Sequence, residues 1–278
     1  MQHARLLQSV AVIGACLATV AGAAGAYASA APVVRSRPVG YKIVSKQFAA
    51  PAGVESGGMV RCPKGTVPLG GSAFADSSPQ ARVNVSASFP FGAVWGAAVK
   101  NSSDVATTFH VTAVCAKQPK GYRQLQSKVV ANPALRQTQA AATCPQGTMP
   151  LGGGGFTSSA GTDVTMNGTA PNGRSWIVRE NNGGSTDETT GAIAVCGHMR
   201  GYKVVRGKLL HLASGTSGGT FAACPAPTVP IGGGVDAPGS VGVNFQGSFP
   251  TGNEWDAFVN NSSEIPASST AVVVCASR

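Results

Sequence analysis

The chain has 278 residues, 21 of them Lys or Arg and 11 Asp or Glu, so it carries a formal charge of +10 although only 12% of it is charged. That balance favours acidic partners or surfaces and excludes the dense cationic composition of a dedicated nucleic-acid binder. With 37 Gly and 18 Pro spread along the chain, breakers and β-branched residues interrupt almost every candidate helix, which points to strands and turns.

The first residues, Met1-Gln2-His3-Ala4-Arg5, precede an apolar run over 6–20 and a closing Ala28-Ser29-Ala30. This is the order of a secretory signal spanning residues 1–30, with cleavage after Ala30. Its removal takes away one Arg and no acid, leaving 20 basic residues against 11 acidic ones, a formal charge of +9. No later apolar segment is long enough for a transmembrane helix, so the expectation is a secreted, extracellular chain. Ile13-Gly14-Ala15-Cys16 has the look of a lipobox, but the apolar run continues past Cys16, whereas a lipidated cysteine should end it.

After a short segment over 31–39, one unit recurs three times, at 40–116, 121–197 and 201–276. Each unit opens with Gly-Tyr, at Tyr41, Tyr122 and Tyr202, followed by a cation, at Lys42, Arg123 and Lys203. Next come CPKGTVPLGG from Cys62, CPQGTMPLGGG from Cys144 and CPAPTVPIGGG from Cys224. A Pro-x-Gly turn then leads to Trp95, Trp176 and Trp255, with an Asn six positions later at Asn101, Asn182 and Asn261. A second cysteine, Cys115, Cys196 or Cys275, closes each unit. The connectors are only a few residues long, which favours packed neighbours over beads on a string.

Six cysteines remain after the signal, and 15 pairings are formally possible. Equivalence of the copies selects Cys62–Cys115, Cys144–Cys196 and Cys224–Cys275. Each bridge closes a loop of just over 50 residues, worth about 4 kcal/mol on the chain-entropy model. Within the first copy, alternation and turns predict five strands, over 41–48, 67–75, 82–89, 93–100 and 107–116. The expected fold is all-β, made of three tandem pseudo-symmetric antiparallel units. They are expected to form a pseudo-threefold, β-prism-like body in which each copy contributes one sheet; three small sandwiches in a row are the alternative.

The C-P-x-G-T-x-P-L-G-G block, the second cysteine some 50 residues on and the threefold repetition resemble the β-prism of vitelline membrane outer layer protein I. They are also similar to exported actinobacterial proteins with Cys-Pro-x-Gly repeats. The resemblance implies a structural coat protein with affinity for oligosaccharide. This repeat is longer, and the vitelline family's acidic segment before the second cysteine has no counterpart here.

Chemistry-bearing patterns are sparse. Gly215-Thr216-Ser217-Gly218-Gly219 satisfies G-x-S-x-G, but no helix pattern follows and no histidine stands in a protease setting, so it reads as a flexible loop. Glu180, Asp187, Glu188, Glu254 and Asp256 offer no selected carboxylate pair, and His110, His198 and His211 occupy unrelated repeat positions. Neither catalysis, a cofactor nor a metal is expected. Trp95 and Trp255 alternate with aliphatic neighbours and read as core anchors. Trp176 has Glu180 on its face instead and is the candidate glycan-stacking residue. The cations Lys42, Lys46, Arg123, Lys128, Lys203, Arg206 and Lys208 are candidate contacts for an anionic cell-wall polymer or polysaccharide. The same cations also suit the protection of sheet edges. A protein partner docked on a loop such as 183–190 is the second expectation.

Overall fold

The computed structural model describes residues 36–76, 82–237, 239 and 241–278; the signal segment and Cys16 lie outside the described residues. The described residues contain 20 strands and no helix. Copy 1 supplies β1 (Lys42–Ala50), β2 (Glu55–Arg61), β3 (Val67–Ala75), β4 (Val83–Phe91), β5 (Val94–Asn101) and β6 (Thr107–Ala116). Copy 2 supplies β7 (Arg123–Gln126), β8 (Val130–Asn132), β9 (Arg136–Thr143), β10 (Met149–Thr157), β11 (Val164–Asn172), β12 (Ser175–Asn182) and β13 (Glu188–Gly197). Copy 3 supplies β14 (Arg200–Arg206), β15 (Leu210–Leu212), β16 (Ser217–Ala223), β17 (Val229–Asp236), β18 (Val243–Thr251), β19 (Glu254–Asn261) and β20 (Ala267–Ser277).

These strands form three antiparallel sheets, and no sheet belongs to one copy. Sheet I runs β1-β6-β3-β18-β19-β16 and joins copies 1 and 3. Sheet II runs β2-β5-β4-β10-β13-β7, with β8 also on β13, and joins copies 1 and 2. Sheet III runs β14-β20-β17-β11-β12-β9, with β15 also on β20, and joins copies 2 and 3. The expectation of one sheet per copy is therefore corrected. Each copy divides its strands between one sheet and the next, its two parts pack on each other, and its own disulfide ties them. The three copies close a ring rather than a row.

The repeated C-P-x-G-T-x-P-L-G-G string explains that closure residue by residue. Gly65 and Gly147 turn the chain at φ +79° and +80°, values that glycine adopts without strain. Thr66, Thr148 and Thr228 each donate from the backbone N–H and from Oγ1 to the carbonyl of the Pro three positions earlier. A register shift after Pro68, Pro150 and Pro230, where the ring has no N–H to give the ladder, sends Leu69, Leu151 and Ile231 into the core. The next glycine lies on the pseudo-threefold axis. A Cβ on Gly70 would stand 2.5 Å from Gly232 Cα, one on Gly152 2.4 Å from Leu69 O, and one on Gly232 2.3 Å from Leu151 O. The glycine after that lies beneath the tryptophan, since a Cβ on Gly71, Gly153 or Gly233 would come within 2.5 Å of the ring of Trp95, Trp176 or Trp255.

The opening tyrosines lock the ring in the same sense. Tyr41 donates to Pro230 O at 2.8 Å, Tyr122 to Pro68 O at 2.9 Å and Tyr202 to Pro150 O at 3.0 Å, each crossing to the preceding copy around the ring. Asn101, Asn182 and Asn261 are buried and each donates from Nδ2 to carbonyls on either side, latching the loop that follows the Trp strand. Reading five strands per copy misses the short β8 and β15 and, in every copy, the strand before the first cysteine: β2, β9 and β16. Their sequences, ESGGMVR, RQTQAAAT and SGGTFAA, carry weak strand propensity, and pairing with the Trp strands β5, β12 and β19 decides them.

Two outcomes test this closure. Gly152→Ala should lower unfolding free energy by about 3 kcal/mol or more in chemical denaturation. The same change at Gly173, a turn at φ +57° with open space around it, should cost about 1 kcal/mol; equal losses would remove the axis from the account. Burial pushes all three phenols up to about 12 from the ordinary 10.0. Their stabilisation is therefore complete below pH 10 and is lost as pH rises toward 12. Denaturation midpoints should fall over that interval as tyrosinate absorbance appears, and the fall should shrink in Tyr202→Phe.

Candidate functional site

The three joins between copies, β3/β18, β4/β10 and β11/β17, place equivalent residues on the outer faces of the sheets. At the join in sheet I, Phe74 lies between His110 at 4.8 Å and Phe249 at 4.3 Å, and Phe258 stacks on Phe249 at 5.9 Å. At the join in sheet III, Arg179 bonds Asp236 at 2.7 Å and Arg206 bonds the same carboxylate at 2.8 Å. The residue three positions after each Trp fills the space in both cases, Phe258 or Arg179. In sheet II that residue is Ala98, and the join stays open as a cleft of about 590 Å³.

Gly57, Ala87 and Ala98 line this cleft among small residues, and Phe89, Phe91 and Phe156 among rings. Phe89 and Phe156 meet edge to face at 6.2 Å across the join. Phe91 is 77% exposed. Its hairpin is pinned to copy 2 because Gly92 N–H donates to Gln124 Oε1 at 2.9 Å while Gln124 Nε2 donates back to Gly92 O at 2.7 Å.

One end of the cleft is polar. Glu55 lines it and accepts from Ser86 Oγ at 2.6 Å. Glu55 faces Lys100 across the β2/β5 pair. Lys100 is 0% exposed and reaches into copy 2 to donate to Ser159 O at 3.1 Å. The equivalent residues of the other copies are amides that also cross a join, Asn181 to Asn244 and Asn260 to Asn84. Burial lowers the Lys100 pKa, opposed by the charges of Glu55, Glu180, Glu188 and Asp163. Glu180 is fully buried with neither carboxylate oxygen hydrogen-bonded, where the other copies have Val99 and Val259. Burial holds its carboxyl well above the usual range, against the pull of Lys100 and with a further push from Glu55. Four of the chain's 11 acids thus gather around one lysine.

The sequence-predicted residues fall in separate places. The six cysteines pair as equivalence required, at Cα separations of 5.5 to 5.7 Å, which belongs to a chain maturing in oxidising surroundings. Lys42, Lys46, Arg123, Lys128, Lys203, Arg206 and Lys208 are all exposed, along or just beyond the edge strands β1, β7 and β14. Trp176 is corrected as a stacking platform: it is 0% exposed and donates from Nε1 to Thr169 Oγ1 at 2.7 Å, and Glu180 beside it is covered too. Ser217 begins edge strand β16, pairing with Asn260, rather than lying in a flexible loop.

Among the described residues no group of three His, Cys, Asp or Glu is placed to hold a metal ion, and no helix is long and apolar enough to cross a membrane. The cleft escapes a reading of the sequence because its residues come from two copies, and the Glu55–Lys100 pair because it depends on β2 pairing with β5, two strands 45 positions apart at these residues. The available signal is the broken equivalence itself, Lys100 against Asn181 and Asn260, and Ala98 against Arg179 and Phe258. Comparison with protein-family models and with curated proteins returns no match.

A buried carboxyl without a partner opposes folding. Glu180→Val, which restores the residue of the other copies, should raise unfolding free energy by about 1–3 kcal/mol at neutral pH. Because the folded pKa lies above the ordinary 4.5, the wild-type chain loses stability relative to this variant as pH climbs from about 4.5. Paired denaturation series across pH check both, and a gap that does not change with pH would exclude the titration of Glu180.

Proposed function

We propose that the mature chain is a secreted, non-catalytic binding or surface-coat protein that holds an anionic polymer, such as a cell-wall polysaccharide, on its basic sheet edges. The observation that carries this reading is the state of the seven cations. All are exposed, they recur on equivalent edge strands, and among the described residues only Arg206 has an ion-pair partner, Asp236. Unneutralised cations repeated around a ring suit multivalent contact with a repeating anion. They also keep the exposed edges from pairing with other chains, so one set of residues serves solubility and binding together.

A second reading, a protein-interaction module, is favoured by the segment 183–190, of which 183–187 form a loop and the rest begins β13. Asn182 braces it by donating to Thr186 O at 2.8 Å and accepting from Gly184 N–H at 3.0 Å. Such a preformed loop docks with little loss of freedom.

Co-sedimentation of the oxidised mature protein with purified cell walls and with a neutral insoluble glycan, at low and high salt, separates the readings. Binding to walls that falls at least about tenfold on raising salt, and that Lys42→Gln, Arg123→Gln and Lys203→Gln together abolish, is the expected result. Salt-insensitive binding, or no loss in the triple variant, would overturn the polyanion reading and favour a shape-matched protein complex.

A further inference from the structure

We propose that the open cleft of sheet II binds a small organic cation with an apolar body, an ammonium group carried on an aromatic or branched aliphatic frame, with Glu55 as its counter-ion. This site differs in charge from the basic edges, although Gln126 of edge strand β7 lines one side of it.

The fold itself shows what belongs in that space. The same join is occupied in sheet I by the ring of Phe258 stacked on Phe249. In sheet III it is occupied by a cation on an aliphatic stem, Arg179, held by the carboxylate of Asp236. Ala98 removes the internal filler from sheet II and leaves about 590 Å³, a volume suited to a small molecule. A ligand that combines the two natural fillers, an apolar group against the rings and a cation on a carboxylate, replaces what Ala98 omits.

The electrostatics select the sign. Among the described residues Glu55 is the only charged side chain lining the cleft. Lys100, the nearest cation in the strand pairing, is wholly covered and turned to Ser159 O. Ser158, which lines the cleft, donates to Glu188 Oε2 at 2.7 Å, so a second carboxylate stands one hydrogen bond behind the lining. The charge that the cleft presents to a ligand among the described residues is thus the Glu55 carboxylate, in a chain of net positive charge. Phe89, Phe91 and Phe156 supply ring surface that suits both an apolar body and a cation.

The test is titration calorimetry of the oxidised mature protein with three probes of one shape: 2-phenylethylammonium, 2-phenylethanol and 3-phenylpropionate. The ammonium should bind at least about tenfold more tightly than the alcohol, and the carboxylate should not bind. Ala98→Phe, which copies the filler of sheet I, should abolish ammonium binding. Glu55→Gln should reduce the ammonium to the affinity of the alcohol while leaving the alcohol unchanged. Should Ala98→Phe fail to fold, Phe91→Ala, a change at an exposed ring, is expected to weaken the ammonium several-fold. Equal affinity for the three probes, ammonium binding unaltered in Glu55→Gln, or binding only of a neutral oligosaccharide would overturn the proposal.

Discussion

The approach of three backbones at Gly70, Gly152 and Gly232 is the contact on which the rest of the structure depends, because at this distance no side chain fits between the copies. The register shift just before each glycine sends Leu69, Leu151 or Ile231 into the core. The glycine just after lets a tryptophan lie flat on the strand. Four consecutive residues, Pro-Leu-Gly-Gly or their equivalents, thus set the bulge, fill the core, close the axis and seat the aromatic ring. The tyrosine hydroxyls then bind the carbonyl of the very proline that begins this run in the neighbouring copy.

That arrangement makes the copies interdependent. Each sheet takes strands from two copies and each copy divides its strands between two sheets, so an isolated copy would leave open the strand edges that meet at the joins. The disulfide works at a lower level, tying the two halves of one copy across the layers. Local crosslinks and long-range closure are therefore complementary: the bridges restrict the unfolded chain within a copy, and the axis orders the copies among themselves.

With the ring held by backbone contacts, the outward residues at each join are free to diverge. One join has become an aromatic stack, one an ion-paired cluster and one an open cleft. Divergence also reaches inward, on β5 of copy 1 and β12 of copy 2. There a buried lysine and a buried, unpartnered carboxyl replace the amides and valine of the other copies. Neither substitution favours folding, and the lysine ends on Ser159, a residue that lines the cleft. Charge is segregated in the same way, with exposed cations along the sheet edges and four acids around the buried Lys100.

By itself the sequence determined what recurs at a fixed spacing: three copies, an all-β chain, the disulfide partners, the buried Trp95 and Trp255, and exposed cations beside the opening tyrosines. Each is legible because it depends on residues a constant distance apart within one copy. Only the tertiary structure decided how strands are shared between copies, because pairing across a join leaves no period in the chain. It also decided that weakly biased segments such as ESGGMVR are strands, since their partners rather than their composition order them. The burial of Trp176 beside Glu180 went against the sequence pattern, for alternation assigns a face but not what covers it. The cleft was the least legible feature, being made by a missing side chain, Ala98, at a place where Phe89 and Phe156 meet from different copies.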